Sequence, residues 1–158
     1  MNSSRGSRVW PLARPQPTPR SLAIGAALAL AGEALRVWAA GHLEKGREVT
    51  SSGPYAITRH PLYLGSGLIA AGIAVASARA IVVITVVAYL AVTITAAILT
   101  EEAQLTERFG DQYPDYRGGR TPVVARRFSA ARVIRNREYR ALLGLAFALA
   151  LLAWKTTR

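Results

Sequence analysis

The sequence predicts an all-α integral membrane protein with about four membrane helices, two of which form a central helical hairpin. Hydrophobic residues make up 51% of the 158 positions, and the mean hydropathy is +0.22. The apolar residues are gathered into runs close to the ~20 residues that cross a bilayer core. Basic residues flank these runs and give a formal net charge of +11, which suits contact with anionic headgroups. We therefore predict one membrane domain, 21–158, preceded by a basic, proline-rich tail, 1–20.

The tail and the first apolar run form the N-terminal part. Four prolines and four arginines in the tail predict an extended segment on anionic lipid, or a disordered segment without a role. Ser21 to Gly41 is the first predicted span. Glu33 and Arg36 lie within it three residues apart, so they share a helix face and can pair. The alternative is an interfacial position, with Arg36 extending towards the headgroups.

A polar loop, 42–58, leads to a predicted helix from Pro61 to about Ala78. Pro61 suits the first turn of a helix, where its missing N–H is not needed. The helix is rich in glycine, alanine and serine, which allow another helix or a ligand to approach its backbone closely. Residues 77–80 connect it to the next apolar run, Ile81 to about Leu99. So short a connection predicts an antiparallel hairpin.

Two adjacent carboxylates, Glu101 and Glu102, follow the second arm of the hairpin. We place them at the helix C-terminus, where repulsion between them and the helix dipole both cost free energy. The tyrosine-containing segment 111–117 follows a short amphipathic helix. Eight arginines in 117–140 predict a basic segment lying on the headgroups. A last apolar run, 139–154, is short for a full span, so it either crosses with the help of its ends or is partly embedded.

The composition also excludes several kinds of function. The chain has no cysteine, which excludes disulfides and thiolate catalysis. It has two histidines, too few for a histidine-only metal site, and no metal site is predicted. We interpret His42 as an interfacial residue. A nucleic-acid-binding protein could carry the same charge but would not need such long apolar runs, so no nucleic-acid partner is predicted.

Several polar and aromatic residues should meet at the membrane face to which the hairpin returns. Arg59 and His60 lie at a helix start, which suits an anionic group. Tyrosine rings suit an onium cation or an aromatic base. The carboxylates suit a cation or ribose hydroxyls. S-adenosyl-L-methionine carries a carboxylate, a sulfonium, an adenine and a ribose, so these residues are compatible with its binding.

Two motifs carry a resemblance to a known family. The first is Gly53-Pro54-Tyr55 followed by Arg59-His60-Pro61-Leu62-Tyr63-Leu64-Gly65. The second is Glu101-Glu102 followed by Leu105, Phe109-Gly110, Tyr113 and Tyr116. Together they resemble the signature of the isoprenylcysteine carboxyl methyltransferase family, and the phospholipid N-methyltransferases are similar in outline. The resemblance covers about residues 33–120.

The resemblance implies S-adenosyl-L-methionine as methyl donor and S-adenosyl-L-homocysteine as product. The donor contacts that it implies are Tyr55, His60, Pro61, Tyr63, Leu64, Gly65, Val49 and Thr50. It implies catalytic roles for Glu101, Glu102 and Arg59, and acceptor contacts for Glu101, Tyr113, Tyr116 and Arg117. The prenylcysteine enzymes are expected to have an arginine where this chain has Ala97, so Arg117 or Arg120 would have to hold an acceptor carboxylate.

The leading hypothesis is a membrane methyltransferase that acts on the carboxyl, amine or thiol group of a lipophilic or lipidated acceptor. Most arginines share the face of the predicted site, so we expect that face to be cytoplasmic, at the inner membrane if the protein is bacterial. An amine acceptor would need Glu101 or Glu102 to accept a proton, if repulsion raises the pKa of one of them. The alternatives are an NADPH-dependent enzyme resembling sterol reductases and a non-enzymatic membrane subunit with a degenerate site.

Overall fold

The computed structural model describes residues 16–120, 122 and 125–157, and the regular structure in these residues is helical throughout. The helices are α1 (Pro19–His42), a 3₁₀ helix (Gly53–Ala56), α2 (Pro61–Ser77), α3 (Ala80–Phe109), α4 (Gln112–Arg117), α5 (Ala130–Arg135) and α6 (Tyr139–Thr156). The prediction of an all-α protein is confirmed. The predicted properties of residues 1–15 lie outside the described residues.

Among the described residues, three helices, α1, α3 and α6, are long and apolar enough to cross a membrane. The fourth predicted span, α2, is apolar but only 17 residues long. The last apolar run, which looked short from the sequence, forms an 18-residue helix, about 27 Å at a rise of 1.5 Å per residue. The composition and length of these helices therefore agree with an integral membrane protein.

The N-terminal end of α1 is fixed by a capping box. The Thr18 hydroxyl accepts a hydrogen bond from the Ser21 N–H (3.0 Å), and the Ser21 hydroxyl accepts one from the Thr18 N–H (2.9 Å). Pro19 occupies the first turn, where proline is favoured. These contacts satisfy donors that the helix leaves open, so α1 begins two residues before the predicted Ser21.

Glycines bring α1 and α2 into close contact along their length, as the small residues of α2 predicted. A Cβ added at Gly32 would lie 2.7 Å from the Gly65 carbonyl oxygen, and one added at Gly72 would lie 2.5 Å from the Ala29 nitrogen. Near the other end, a Cβ at Gly25 would lie 2.5 Å from the Ala76 nitrogen. Any side chain at these positions would push the helices apart, so the pair forms the compact centre of the fold.

The predicted hairpin between α2 and α3 is present. Ala78, in a left-handed conformation with φ 51°, and Arg79 connect the two helices. No residue of α3 is buried against the described part of the chain, so this helix lies at the periphery of the bundle. The placement of Glu101 and Glu102 at a helix C-terminus is wrong, because α3 continues without a break to Phe109. The dipole argument therefore does not apply to them, since the effect is confined to the last turn.

The predicted pairing of Glu33 with Arg36 does not form. The Arg36 Nε instead donates to Glu138 Oε1 at 2.6 Å, just before α6, and its Nη1 donates to Ser66 Oγ at 2.5 Å on α2. Glu33 is buried, and neither of its carboxylate oxygens has a hydrogen-bond partner among the described residues. Arg36 thus connects three helices rather than two turns of its own helix.

Arginines of the arginine-rich segment, 117–140, form ion pairs with acidic residues of the protein. Arg132 Nε donates to Glu44 Oε1 at 2.7 Å, and Arg126 Nη2 lies 2.6 Å from Glu48 Oε1. The hydrogen bond from Arg132 is the main cause that lowers the pKa of Glu44 below its ordinary value. These pairs hold α5 and the residues before it against the loop that follows α1, and the contact of this segment with headgroups stays a prediction.

His42, predicted to be an interfacial residue, is buried within the protein at the end of α1, and its position relative to the membrane stays a prediction. It is only 6% exposed, and its Nδ1 lies 3.1 Å from the Ser52 hydroxyl. A Cβ added at Gly53 would lie 2.6 Å from the His42 ring, and Gly53 has a φ of 58°. The ring therefore supports the start of the 3₁₀ helix that carries Tyr55.

Candidate active site

Glu102 on α3 is the point at which the two sequence motifs meet. His60 Nε2 lies 3.0 Å from Glu102 Oε1, and Arg59 Nη1 lies 3.4 Å from the same oxygen. Arg117 Nη1, from α4, lies 3.6 Å from Glu102 Oε2. One carboxylate therefore joins three basic side chains from two separate segments. This arrangement balances its negative charge, and the predicted repulsion between Glu101 and Glu102 is not its dominant interaction.

Backbone geometry explains why His60 can reach across to α3. His60 is the residue immediately before α2, with φ −127° and ψ 57°, and Pro61 begins the helix. A residue before proline is pushed out of the helical conformation. The side chains of Arg59 and His60 therefore leave the chain just outside the first turn of α2, where they face the last third of α3.

Tyrosines hold the second motif against the first. The Tyr116 hydroxyl donates to the Tyr55 carbonyl oxygen at 2.6 Å, which ties α4 to the 3₁₀ helix. Tyr113 is buried at 2% exposure, and its ring centroid lies 6.2 Å from that of Tyr116. Burial raises the pKa of both hydroxyls, and for Tyr113 the Glu102 carboxylate raises it further. Both groups are therefore neutral hydrogen-bond donors at physiological pH.

Glu101 has a different partner from Glu102. Its carboxylate lies near the Tyr63 hydroxyl on α2 and acts on it electrostatically. The Tyr63 ring lies 5.9 Å from the His60 ring, so Glu101 and Glu102 contact neighbouring residues of α2. The pKa of Tyr55 is raised by burial first and then by the charge of Glu101, which places Tyr55 beside the same cluster.

The sequence model of the phospholipid methyltransferase family matches residues 29–112. The chain belongs to the phospholipid methyltransferase family. The matched segment begins within α1 and ends at the first residue of α4, so it contains the whole 53–65 motif and both glutamates. No curated protein and no solved structure matches the chain. The protein is accordingly a membrane methyltransferase.

In this member of the phospholipid methyltransferase family, α5 and α6 lie outside the matched segment. The contacts of α5 nevertheless reach the loop that precedes the first motif. The Thr50 hydroxyl accepts a hydrogen bond from the Glu44 N–H at 3.3 Å, and Glu44 is bound by Arg132. Thr50 and Val49, predicted at the donor, therefore lie on the part of the loop that α5 holds, and their role at the donor stays a prediction.

The other predicted donor residues occupy different surroundings. Pro61 is fully buried in the first turn of α2, whereas the Leu64 side chain is 53% exposed. A Cβ at Gly65 would lie 2.5 Å from the Arg36 side chain and 2.8 Å from the Gly32 carbonyl oxygen. Packing against α1 thus accounts for the glycine at position 65, and its predicted contact with the donor stays a prediction.

A cavity of about 610 Å³ opens beside Glu102 between α3 and α4. Its lining includes Glu102, Thr106, Glu107, Tyr113 and Arg117. The volume lies within the range of roughly 300–1,000 Å³ that is usual for small-molecule sites. Carboxylates, a guanidinium and an aromatic ring all border it, so it can bind a molecule that carries charges of both signs.

Sequence reasoning missed Arg36, Ser66 and His42 as neighbours of the site. Arg36 Nη1 donates to the Leu62 carbonyl oxygen at 3.3 Å, in the first turn of α2, as well as to Ser66. An arginine within an apolar run was a visible signal, but the sequence does not show which helix it contacts. For His42 the signal was Gly53, because a glycine can mark a close contact. The sequence does not show which residue makes that contact.

Proposed function

We propose that this protein transfers the methyl group of S-adenosyl-L-methionine to a lipophilic acceptor at the cytoplasmic face of the membrane. A phospholipid is the leading acceptor because the family is described as phospholipid methyltransferases. The observation that carries the proposal is the meeting of the two motifs at Glu102 beside a cavity bordered by charged side chains. S-adenosyl-L-methionine supplies an electrophilic methyl group on a sulfonium when bound.

The charged side chains at the cavity beside Glu102 suit the donor. Glu102 and Glu107 offer oxygens to hydroxyl or ammonium groups, Arg117 offers a cation to a carboxylate, and Tyr113 offers an aromatic face. The Tyr113 hydroxyl is buried and lacks a hydrogen-bond partner of standard geometry among the described residues, which leaves it able to bind a ligand atom. Tyr113 and Arg117, predicted on the acceptor side, would then contact the donor.

The acceptor would approach from the membrane side and meet the donor near Glu101, Tyr63 and Tyr55. The residues of the chain contribute mainly by alignment and by the exclusion of water, since methyl transfer requires nucleophile, methyl carbon and sulfur to lie in line. An amine acceptor must react in its deprotonated form. Glu101 is the better candidate to receive that proton, because Glu102 is already bound by three basic side chains.

An isoprenylcysteine carboxylate is the second candidate acceptor, since both motifs resemble that family. It would need a cation, and Arg117, which is 61% exposed and lies 3.6 Å from Glu102 Oε2, is the candidate. Arg120 is already paired with Asp115 at 2.8 Å. An acceptor carboxylate would therefore compete with Glu102 for Arg117, which favours a phospholipid amine.

Donor binding by the full-length protein in detergent tests the proposal. Calorimetry with S-adenosyl-L-homocysteine should show binding, and His60→Ala should weaken it at least about tenfold, roughly 1.4 kcal/mol. Arg79→Ala, at the other end of the hairpin, is the control and should bind as wild type does. A folded wild-type protein that binds no S-adenosyl ligand would refute the proposal, and binding of NADPH instead would favour a reductase.

A further inference from the structure

A second groove lies where α1, α2 and α6 meet. It has a volume of about 320 Å³. Its walls are Ile69, Ile73, Ala141, Gly144 and Leu145, and its polar groups are Arg36 and Ser66. The volume is at the lower end of the range of roughly 300–1,000 Å³ for ligand sites. It therefore has room for part of a lipid chain rather than for a whole lipid.

The groove is polar at one end only. Ser66 and Arg36 are hydrogen-bonded to each other, and Glu138 binds the other side of the guanidinium. Ile69 and Ile73 follow Ser66 at helical spacing, so the groove continues along α2 as an apolar surface. A groove with one polar end and an apolar body matches an amphiphile whose hydrocarbon chain lies along the helices.

The polar end of the groove is next to the candidate active site. Arg36 also donates to the Leu62 carbonyl oxygen at 3.3 Å, one residue before Tyr63. Tyr55 is near enough to Arg36, Glu138 and Glu101 for all three charges to act on its hydroxyl. Arg36 therefore connects the polar end of the groove with the first turn of α2, beside the candidate active site.

We propose that this groove holds a hydrocarbon chain of the methyl acceptor and directs its reacting group towards Glu101, Tyr63 and Tyr55. The inference rests on the proposed function, because it takes the acceptor to be a lipid. It also assigns a role to α6, which lies outside the family match. The donor would then reach the reaction centre from the cavity beside Glu102, and the acceptor from the groove between α1, α2 and α6.

Gly144 offers a specific way to test the groove. A Cβ added there meets no atom within 4 Å, so a larger side chain fits without displacing its neighbours. Gly144→Leu would fill part of the groove. Ala146→Leu, on the exposed side of the same helix, adds a leucine at a position that does not line the groove and is the matched control. Size-exclusion profiles and thermal unfolding in detergent should show that both variants fold.

The experiment uses full-length protein in lipid nanodiscs that contain a phospholipid with a diazirine on its acyl chain. Two probes are compared, phosphatidylethanolamine, which carries a free amine, and phosphatidylcholine, which is already fully methylated. We expect the first probe to label 66–73 and 141–145 at least threefold more than the exposed segment 81–87 of α3, and more than the second probe does. Gly144→Leu should lower this labelling at least threefold, and Ala146→Leu should not.

Equal labelling of the segments 66–73, 141–145 and 81–87 would overturn the inference. Equal labelling by the two probes would also overturn it, because the groove would then hold any lipid of the bilayer. Undiminished labelling in Gly144→Leu would overturn it as well. Binding of S-adenosyl-L-homocysteine is measured on the same samples and should be the same in both variants and wild type. If donor binding persists while groove labelling fails, only this inference is wrong, whereas a wild-type protein without donor binding refutes the proposed function itself.

Discussion

Replacement of the two neighbouring glutamates by glutamine should separate a structural carboxylate from a functional one. Glu102→Gln removes the charge that Arg59, His60 and Arg117 share. Glu101→Gln removes a charge that acts on Tyr63 and Tyr55. The two residues are adjacent on α3 and the substitution is the same. Each variant is therefore the control for the other.

The geometry at Glu102 sets the expected loss of stability. The Arg59 and Arg117 side chains are 43% and 61% exposed, so each ion pair contributes at most about 1 kcal/mol. His60 and Glu102 are 16% and 17% exposed, and a hydrogen bond to a charged group contributes about 1.5–3 kcal/mol. Glutamine keeps an acceptor oxygen, so we expect Glu102→Gln to lose about 1–3 kcal/mol and the affinity for S-adenosyl-L-homocysteine to fall with it.

Glu101→Gln should behave differently, because Glu101 forms none of the ion pairs found among the described residues and glutamine has nearly the same size and shape. Its thermal stability should stay within about 0.5 kcal/mol of wild type. Its rate of methyl transfer should fall at least about tenfold, equivalent to roughly 1.4 kcal/mol.

The assays are thermal unfolding in detergent, calorimetry with S-adenosyl-L-homocysteine, and transfer of labelled methyl groups to a lipid extract. The reasoning is refuted if Glu101→Gln is the less stable variant yet fully active per folded molecule. It is also refuted if Glu102→Gln has the same thermal stability and the same affinity for S-adenosyl-L-homocysteine as wild type.

Three further outcomes are expected. Gly72→Ala should destabilise the protein by about 1–3 kcal/mol in thermal unfolding, because its Cβ would lie 2.5 Å from the Ala29 nitrogen. The control, Gly67→Ala, adds a Cβ that meets no atom within 4 Å and should be neutral or stabilising. Cysteines at positions 45 and 79 should be labelled from opposite sides of intact vesicles, and labelling from one side alone would contradict the hairpin. The pKa of Glu44 is lowered in the folded protein, so its pair with Arg132 stabilises the fold fully above pH 4.5 and is lost as the pH falls through the lowered pKa. The difference in melting temperature between wild type and Glu44→Gln should therefore shrink below pH 4.5. A difference that stays constant with pH would contradict this prediction.

The helices and the hairpin could be predicted because their signals are local. The lengths of the apolar runs predicted the membrane helices, and the short connection at 77–80 predicted the antiparallel hairpin. The small residues of α2 also predicted a close helix contact, which proves to be with α1 through Gly32 and Gly72. The error at Glu101 and Glu102 arose because a change from apolar to charged residues marks the membrane surface and not the end of a helix. An α-helix continues beyond the apolar run when the following residues favour helical structure, and α3 continues in this way to Phe109.

The long-range ion pairs could not be predicted from the sequence. Glu33 is three residues from Arg36, yet Arg36 pairs with Glu138, which is 102 positions away. Local spacing shows which residues can meet on one helix but not which other helix lies closer. The same limit applied to Arg126 and Arg132, whose acidic partners lie in the loop after α1. The motifs that meet at Glu102 were predicted together only through their resemblance to a family and the return of the hairpin.

The two arms of the hairpin have unequal lengths, 17 and 30 residues, or about 26 and 45 Å at 1.5 Å per residue. The shorter arm is fixed to α1 by close glycine contacts, whereas the longer one has no buried residue. A bilayer of different thickness changes the preferred tilt of a long peripheral helix more readily than that of a packed short one. The separation between His60 on the fixed arm and Glu102 on the tilting arm then depends on the thickness of the surrounding lipid. The membrane that supplies the acceptor would in this way also adjust the catalytic geometry.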